Sequence, residues 1–184
     1  IDTSQQVLGK TLRAPILIAG MTGGTERAAG INRQLAKLAQ ARGYAFGLGS
    51  QRAMYKDPSV AESYRVRDVA PDVLLLGNIG LVQAAQMQSD EVAALARSVA
   101  ADALCLHLNP AQEAVQAGGD RDFRNGLSTI ARLVSELALP LVVKETGCGL
   151  SRQVGLMVRR VGITAVDTSG AGGTSWVGVE TLRA

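Results

Sequence analysis

A chain of 184 residues with 47% apolar and 19% charged side chains is long enough for one domain with a real core. That balance excludes compositional disorder, and the 3% aromatic content, with Trp176 the sole tryptophan, excludes base stacking as a mode of action. The net charge of +3 is spread along the chain without a like-charge block, which suits a small anionic molecule better than a nucleic-acid backbone.

Cys105 and Cys148 have no metal-ligand spacing, pointing to a reducing compartment. No apolar run approaches the roughly 18 residues of a membrane span, and no charged-then-apolar leader opens the chain. The expectation is a cytoplasmic protein with no membrane or nucleic-acid partner.

In chain order, residues 1–13 read as an entry arm. Pro15-Ile16-Leu17-Ile18-Ala19-Gly20 is the first buried strand, leaving through Met21-Thr22-Gly23-Gly24. A helix follows, with Ile31, Leu35, Leu38 and Ala39 as its apolar face and Gly43 as its stop. Ala45–Gly49 is a second strand, exiting through Ser50-Gln51-Arg52, and Asp57-Pro58-Ser59 opens the next helix. Val73–Gly77 is a third strand with the exit Asn78-Ile79-Gly80, and Ser89-Asp90-Glu91 begins another helix. Ala103-Leu104-Cys105-Leu106 is the fourth strand, and it ends in His107, Asn109, Gln112 and Glu113. After a helix carrying Leu127, Ile130, Ala131, Val134 and Leu137, Pro140–Val143 is the fifth strand, with Lys144-Glu145-Thr146-Gly147 at its exit. Ser151 caps a helix with Val154, Val158 and Val161. Ile163–Val166 is the sixth strand, exiting through the run from Asp167 to Ser175.

Strand starts near 15, 45, 73, 103, 140 and 164 make six βα units at a spacing of roughly 30 residues, about one βαβ module each. Such alternation gives a parallel sheet, either doubly wound or closed as a barrel. Every exit carries polar residues or glycine, and a barrel gathers all its exits on one rim, so the expected fold is a TM-free α/β domain of the TIM (β/α)₈ type. A complete barrel takes about 250 residues. Residues 1–184 are therefore expected to form a single barrel domain lacking strands seven and eight.

The exits suggest chemistry. Glycine-rich exits offer backbone N–H groups to a flavin or phosphate. Lys144, ending an apolar strand, suits a Schiff base or a cation beside an electron-rich ring. Arg52 suits a phosphate. Glu113 is the one carboxylate of the central stretch, and one carboxylate plus substrate phosphates is a common way to hold Mg²⁺. With a single histidine, a zinc site has too few ligands. Ser50, His107 and Asp167 all lie at exits, but no nucleophile elbow supports a triad.

Met21-Thr22-Gly23-Gly24, Gly49-Ser50-Gln51-Arg52, Gly77-Asn78-Ile79-Gly80, His107-Leu108-Asn109-Pro110-Ala111-Gln112-Glu113, Val143-Lys144-Glu145 and Gly170-Ala171-Gly172-Gly173-Thr174 occur in that order. Together they closely resemble type 2 isopentenyl-diphosphate isomerase, the FMN-dependent form. The resemblance covers essentially the whole chain, as a piece of about six of eight βα units, and implies that the family's N-terminal arm with its Arg-Lys substrate contacts is missing as well.

The resemblance implies a barrel that interconverts isopentenyl and dimethylallyl diphosphate, a reaction of isoprenoid biosynthesis. Reduced FMN would act as acid and base, with NADPH as reductant and Mg²⁺ on the diphosphate. It implies FMN contacts at Met21, Thr22, Gly23, Ser50, Asn78, Lys144, Ser169 and Thr174. Substrate contacts would come from Ser50, Gln51, Arg52, His107, Asn109 and Gln112, with Glu113 as metal ligand. Gln112, Glu113 and Lys144 would be the catalytic set, Gln112 by positioning or a water relay. A homo-oligomer, tetramer or octamer, is also implied. The alternatives are an FMN barrel of the α-hydroxyacid oxidase type, a non-catalytic flavin- or phosphate-binding module, and a metal-independent aldolase working through Lys144.

Overall fold

The computed structural model describes residues 1–183 and packs as two compact units. The first comprises Ile1–Ile79 with Asp90–Leu104; the second comprises Gly80–Ser89 and the residues from Cys105 onward.

The first unit opens with β1 (Gln5–Val7) and β2 (Lys10–Leu12), paired antiparallel. Their two-residue link, Leu8-Gly9, has positive φ at both positions, the geometry that lets a tight hairpin follow the twist of its strands. Then come β3 (Leu17–Ile18), α1 (Glu26–Arg42), β4 (Ala45–Gly47), α2 (Arg52–Lys56), a 3-10 helix (Pro58–Tyr64) and β5 (Leu74–Gly80). The unit also holds nearly all of α4 (Ser89–Ser98) and the start of β6 (Ala103–His107). β3 pairs parallel with β4, and β4 with β5. All seven residues of β5 are buried, as in a strand covered on both faces, and it runs on through Asn78 and Ile79 to Gly80, the stretch expected as its exit.

Thr25 caps α1, its hydroxyl accepting from the Ala28 N–H at 3.1 Å, and Gly43 ends it in the left-handed conformation. The buried face of α1 is only in part the one expected. Of the expected face only Ala39 is buried, Leu35 is half-buried and Ile31 and Leu38 are exposed, while Ala28, Asn32 and Ala36 complete the inward face. Small side chains let a helix approach its neighbours closely, and here that outweighs the burial of the larger residues. Asp102 ties the strand starts together: its carboxylate accepts from the Leu75 N–H and Arg67 Nη2 and lies 3.5 Å from Lys10 Nζ.

The second unit contains α3 (Leu81–Ala85), the end of β6, α5 (Pro110–Val115), α6 (Gly126–Glu136), β7 (Leu141–Lys144), α7 (Arg152–Arg160), β8 (Ala165–Asp167) and α8 (Trp176–Arg183). β7 and β8 pair parallel with Lys144 opposite Asp167. Ser151 caps α7 as expected, accepting from the Val154 N–H at 3.2 Å. On α6, Ile130 and Leu133 are buried and Leu127 is exposed.

All six expected strands are present, but the expected TIM (β/α)₈ barrel with strands seven and eight and an arm missing is corrected. The six strands form an open sheet in chain order, β3-β4-β5-β6-β7-β8, and the first dozen residues are a separate two-stranded sheet rather than an irregular arm. Closure requires each outer strand to find a partner at a consistent stagger. β3 and β8 are two and three residues long and each pairs on one side only. Among the described residues, no helix is long and apolar enough to cross a membrane.

Candidate functional site

In the first unit, the exit of β3 is braced from beneath. The buried side-chain amide of Asn32 donates to the carbonyls of Thr22 (3.1 Å) and Ser63 (2.8 Å), and Ser63 Oγ accepts from the Gly24 N–H. Tyr64 lies directly against Gly23, where any side chain would collide with its ring, and its hydroxyl donates to the Ser50 carbonyl at 2.8 Å. Thr22 and Gly23 therefore sit in a fixed loop, and Met21 beside them is exposed.

Gly49 is required by close approach. A Cβ there would lie 2.5 Å from the Thr22 carbonyl oxygen and 2.6 Å from its nitrogen and carbonyl carbon. These are backbone atoms that cannot swing aside, so Gly49→Ala is expected to cost about 3 kcal/mol, the upper end for overpacking. Urea unfolding checks this; an unchanged midpoint would show that the β3 exit yields freely.

Gln51 is fully buried, with its side chain spent on structure. Its amide donates to the Leu95 carbonyl at 2.9 Å, its oxygen accepts from the Asn78 N–H at 3.0 Å, and its backbone N–H donates to the Asn78 carbonyl. Asn78, also buried, donates to the Leu48 carbonyl at 3.1 Å. The pair locks the exit of β4 to the C-terminal half of β5. Ser50 and Arg52 are the half-buried residues of that exit, with the Ser50 hydroxyl 3.4 Å from the Arg52 N–H at the start of α2.

In the second unit, His107 ends β6 and is half-buried, and the next N–H, Leu108, donates to the Lys144 carbonyl at 2.7 Å. That bond sets the β6 exit beside the β7 exit. Asn109 and Glu113, both buried, are joined at 2.8 Å from Asn109 Nδ2 to Glu113 Oε1. Glu113 Oε2 accepts from the Asp120 N–H at 2.6 Å, and Arg121 Nε donates to the Glu113 carbonyl. A carboxylate has about four lone-pair positions, so one N–H donor on each oxygen leaves capacity for a cation. Gln112 is half-buried on the same short helix.

Lys144 is half-buried at the end of β7. Next to it, buried Glu145 curls back so that one oxygen accepts four successive backbone N–H groups, from Thr146 (2.6 Å), Gly147 (2.7 Å), Cys148 (2.6 Å) and Gly149 (3.1 Å). In the sequence the only signal of this carboxylate is a glutamate two positions before a Gly-x-Gly turn. Ser169 has φ of +40°, and both its N–H and its hydroxyl donate to Asp167 Oδ1, at 2.9 and 3.0 Å. A non-glycine residue held left-handed costs about 1–3 kcal/mol and tends to occur where a ligand is gripped. Thr174 is exposed, and Gly170, Gly172 and Gly173 have nothing within 4 Å of where a Cβ would stand.

The two cysteines differ sharply. Burial pushes the Cys105 thiol up to about 12, with Lys144 opposing the shift and Asp167 adding to it; Cys148 is exposed. The unfolded chain would ionise Cys105 from its ordinary value of 9.0 upward while the fold holds the proton. Above pH 9 the native state therefore binds more protons, and this residue should cost stability at about 1.4 kcal/mol per pH unit until the folded value is reached. Alkylation near pH 8 should mark Cys148 and spare Cys105 until the protein is denatured. Equal labelling of the two would contradict this.

Among the described residues, no cluster of three or more His, Cys, Asp or Glu could hold a metal by protein ligands alone. No buried side-chain nitrogen or oxygen among them lacks a hydrogen-bond partner.

No family model matches the chain. Curated relatives match along all of it. An isopentenyl-diphosphate delta-isomerase of Thermococcus onnurineus is 47% identical, one of Synechococcus sp. 49% and one of Cronobacter sakazakii 48%, with 51%, 53% and 54% of their lengths covered. The chain thus spans about half the length of the curated relatives it matches. These names give the reaction with neither a type nor a cofactor. The narrower expectation, a type 2 FMN-dependent isomerase present as six of eight βα units, is accordingly corrected to the coarser name. Among solved structures, a mandelate oxidase variant with a C4a-hydroxy-FMN adduct aligns over 100% of this chain and 59% of its own at a TM-score of 0.60 and 12% identity. The Amycolatopsis orientalis BexX/CysO complex aligns over 92% of this chain and 64% of its own at 0.52 and 14%. At such identities the likeness is one of fold.

Proposed function

We propose that the protein acts as an isomerase interconverting isopentenyl and dimethylallyl diphosphate. The observation that carries this is 46–49% identity, along the whole chain, to several curated proteins that bear the reaction's name. The reaction moves a C=C bond by one position: a proton joins the terminal methylene and another leaves the allylic carbon, with no net redox change. Such chemistry asks for a diphosphate grip, an acid–base group and exclusion of water.

The donor sets fit a diphosphate and its cation. In the second unit, His107 would donate to phosphate oxygens, and Glu113, with lone pairs to spare, would share Mg²⁺ with them, since the substrate supplies the oxygens the protein lacks. Asn109 would act by orienting Glu113. Gln112, an amide of no acid strength at neutral pH, would position the hydrocarbon end or a water. In the first unit, taken by itself, Arg52 and Ser50 would be donors suited to a phosphate. Gln51, its amide occupied at both ends, would serve by fixing Asn78 and the turn.

The exits also fit an oxygen-rich, electron-rich ring system. Within the first unit, Thr22 and Gly23 offer braced backbone beside exposed Met21; within the second, Ser169 is held in its strained turn, and the open glycines before Thr174 leave room for close approach. Lys144 would supply a cation that stabilises an anionic ring. FMN, kept reduced by NADPH, would supply the acid–base pair for the two proton transfers.

An anaerobic assay tests this: full-length protein with FMN, dithionite or NADPH, Mg²⁺ and isopentenyl diphosphate, with dimethylallyl diphosphate read out. Product that requires both reduced flavin and Mg²⁺ is expected. No product from flavin-loaded, reduced protein would sink the reading, and oxygen-dependent turnover of an α-hydroxyacid would replace it.

A further inference from the structure

Gln83 carries a contact pattern that none of the roles above uses. It lies on α3, its Nε2 donates to Asp120 Oδ2 at 2.8 Å, and its Oε1 crowds the space over Gly80. His107 Nε2 crowds the same space, 3.0 Å from where a Gly80 Cβ would stand. One amide therefore touches the Asp120 side chain at one end and shares a glycine-made recess with His107 at the other.

Asp120 extends the chain of contacts. Its side chain is what Gln83 holds, while its backbone N–H is what Glu113 Oε2 accepts at 2.6 Å. Gly119 must be glycine for this return to occur, because a Cβ there would run into the Glu113 carbonyl oxygen. The segment from Gly119 to Arg121 is thus wrapped onto Glu113, and its outer end is pinned to α3.

We infer that Gln83 is a positioning residue for the cation–diphosphate end of the site, setting Glu113 through the Asp120 loop and lying beside His107. This rests on the reading of Glu113 as the cation ligand. A carboxylate whose second oxygen is fixed by a backbone N–H presents its remaining lone pairs in one direction. Free to rotate, it would spend part of its time turned away. Hydrogen-bonding partners of metal ligands typically change metal affinity by about 10–100-fold when removed. Gln83 stands one step further out, so the lower end of that range applies.

The test is Mn²⁺ binding in the presence of inorganic pyrophosphate, read from the EPR signal of free Mn²⁺, so that no turnover is needed. Gln83→Met keeps the length of the side chain and removes its hydrogen bonds. It should weaken Mn²⁺ by about 10-fold. Asp120→Ala should do the same, whereas Asp120→Asn, which retains an oxygen for Gln83 to donate to, should stay within about twofold of wild type. Glu113→Gln should weaken binding most.

The failures separate cleanly. Unchanged affinity in Gln83→Met while Glu113→Gln loses it would overturn the latch alone. A loss in Asp120→Asn equal to that in Asp120→Ala would make the Asp120 charge the active feature and also overturn it. Unchanged affinity in Glu113→Gln would overturn the cation reading on which the proposal stands.

Discussion

Glu145→Ala is expected to lower the stability of the fold by about 3–5 kcal/mol, the largest single-residue effect outside the apolar core. One buried carboxylate oxygen gathers the N–H groups of four successive residues, Thr146 to Gly149. Charge-assisted hydrogen bonds contribute about 1.5–3 kcal/mol each, and four donors converging on one oxygen do not add in full. Water would reach part of this half-exposed loop and recover some of the loss. Glu145→Gln should fall between, because a neutral amide oxygen accepts fewer and weaker bonds and its NH₂ group faces other donors. The measurement is the urea midpoint of the three proteins. An alanine variant that unfolds with the wild type would mean that the turn is held by its glycines. The consequence reaches Lys144, since the Glu145 N–H donates to the Asp167 carbonyl and the turn begins where that lysine ends its strand.

The parts of this fold legible in the sequence are those written in continuous apolar runs. Ala103–Leu106 and Leu141–Val143 are strands because a short, wholly apolar segment ended by polar residues has no better place than a sheet covered on both faces. The β1–β2 hairpin escaped because Gln5-Gln6-Val7 and Lys10-Thr11-Leu12 have no such run, and Leu8-Gly9 is a weak turn signal by itself. On α1 size is a poor guide: Ala39 belongs to the buried face its apolar residues predict, but closeness of packing selects Ala28, Asn32 and Ala36 over Ile31 and Leu38.

Roles at the site were harder to read for a physical reason. The partners that decide them are far apart in sequence. Gln51 looks like a ligand residue beside Ser50 and Arg52 until its amide is found bonded to Leu95 and Asn78. Gln83 carries no signal in the sequence, and only the fold brings it to Asp120. Closure was overread in the same way: polar exits show which edge of a parallel sheet does chemistry, but they do not count the strands.

Under the proposed isomerase activity, Glu113→Gln is expected to lower kcat/KM for isopentenyl diphosphate by at least about 100-fold, or about 2.7 kcal/mol, while the protein stays folded. Two effects separate here by magnitude. The structural one is small: a glutamine has a single acceptor oxygen, so either Asn109 Nδ2 or the Asp120 N–H loses its partner, a cost of about 1–2 kcal/mol. That shifts a melting temperature by a few degrees in a chain of this size. The functional effect is larger because the charge itself is removed. Among the described residues, no cluster of three or more acidic, His or Cys side chains stands ready to hold the cation without it. Glu113→Asp restores the charge and shortens the reach by one methylene, so it should recover part of the activity only at raised Mg²⁺. Steady-state rates across a Mg²⁺ titration, beside a thermal melt of each variant, decide the matter. Retained activity with the wild-type Mg²⁺ half-saturation would remove Glu113 from the cation site and leave it as the clasp of its own loop.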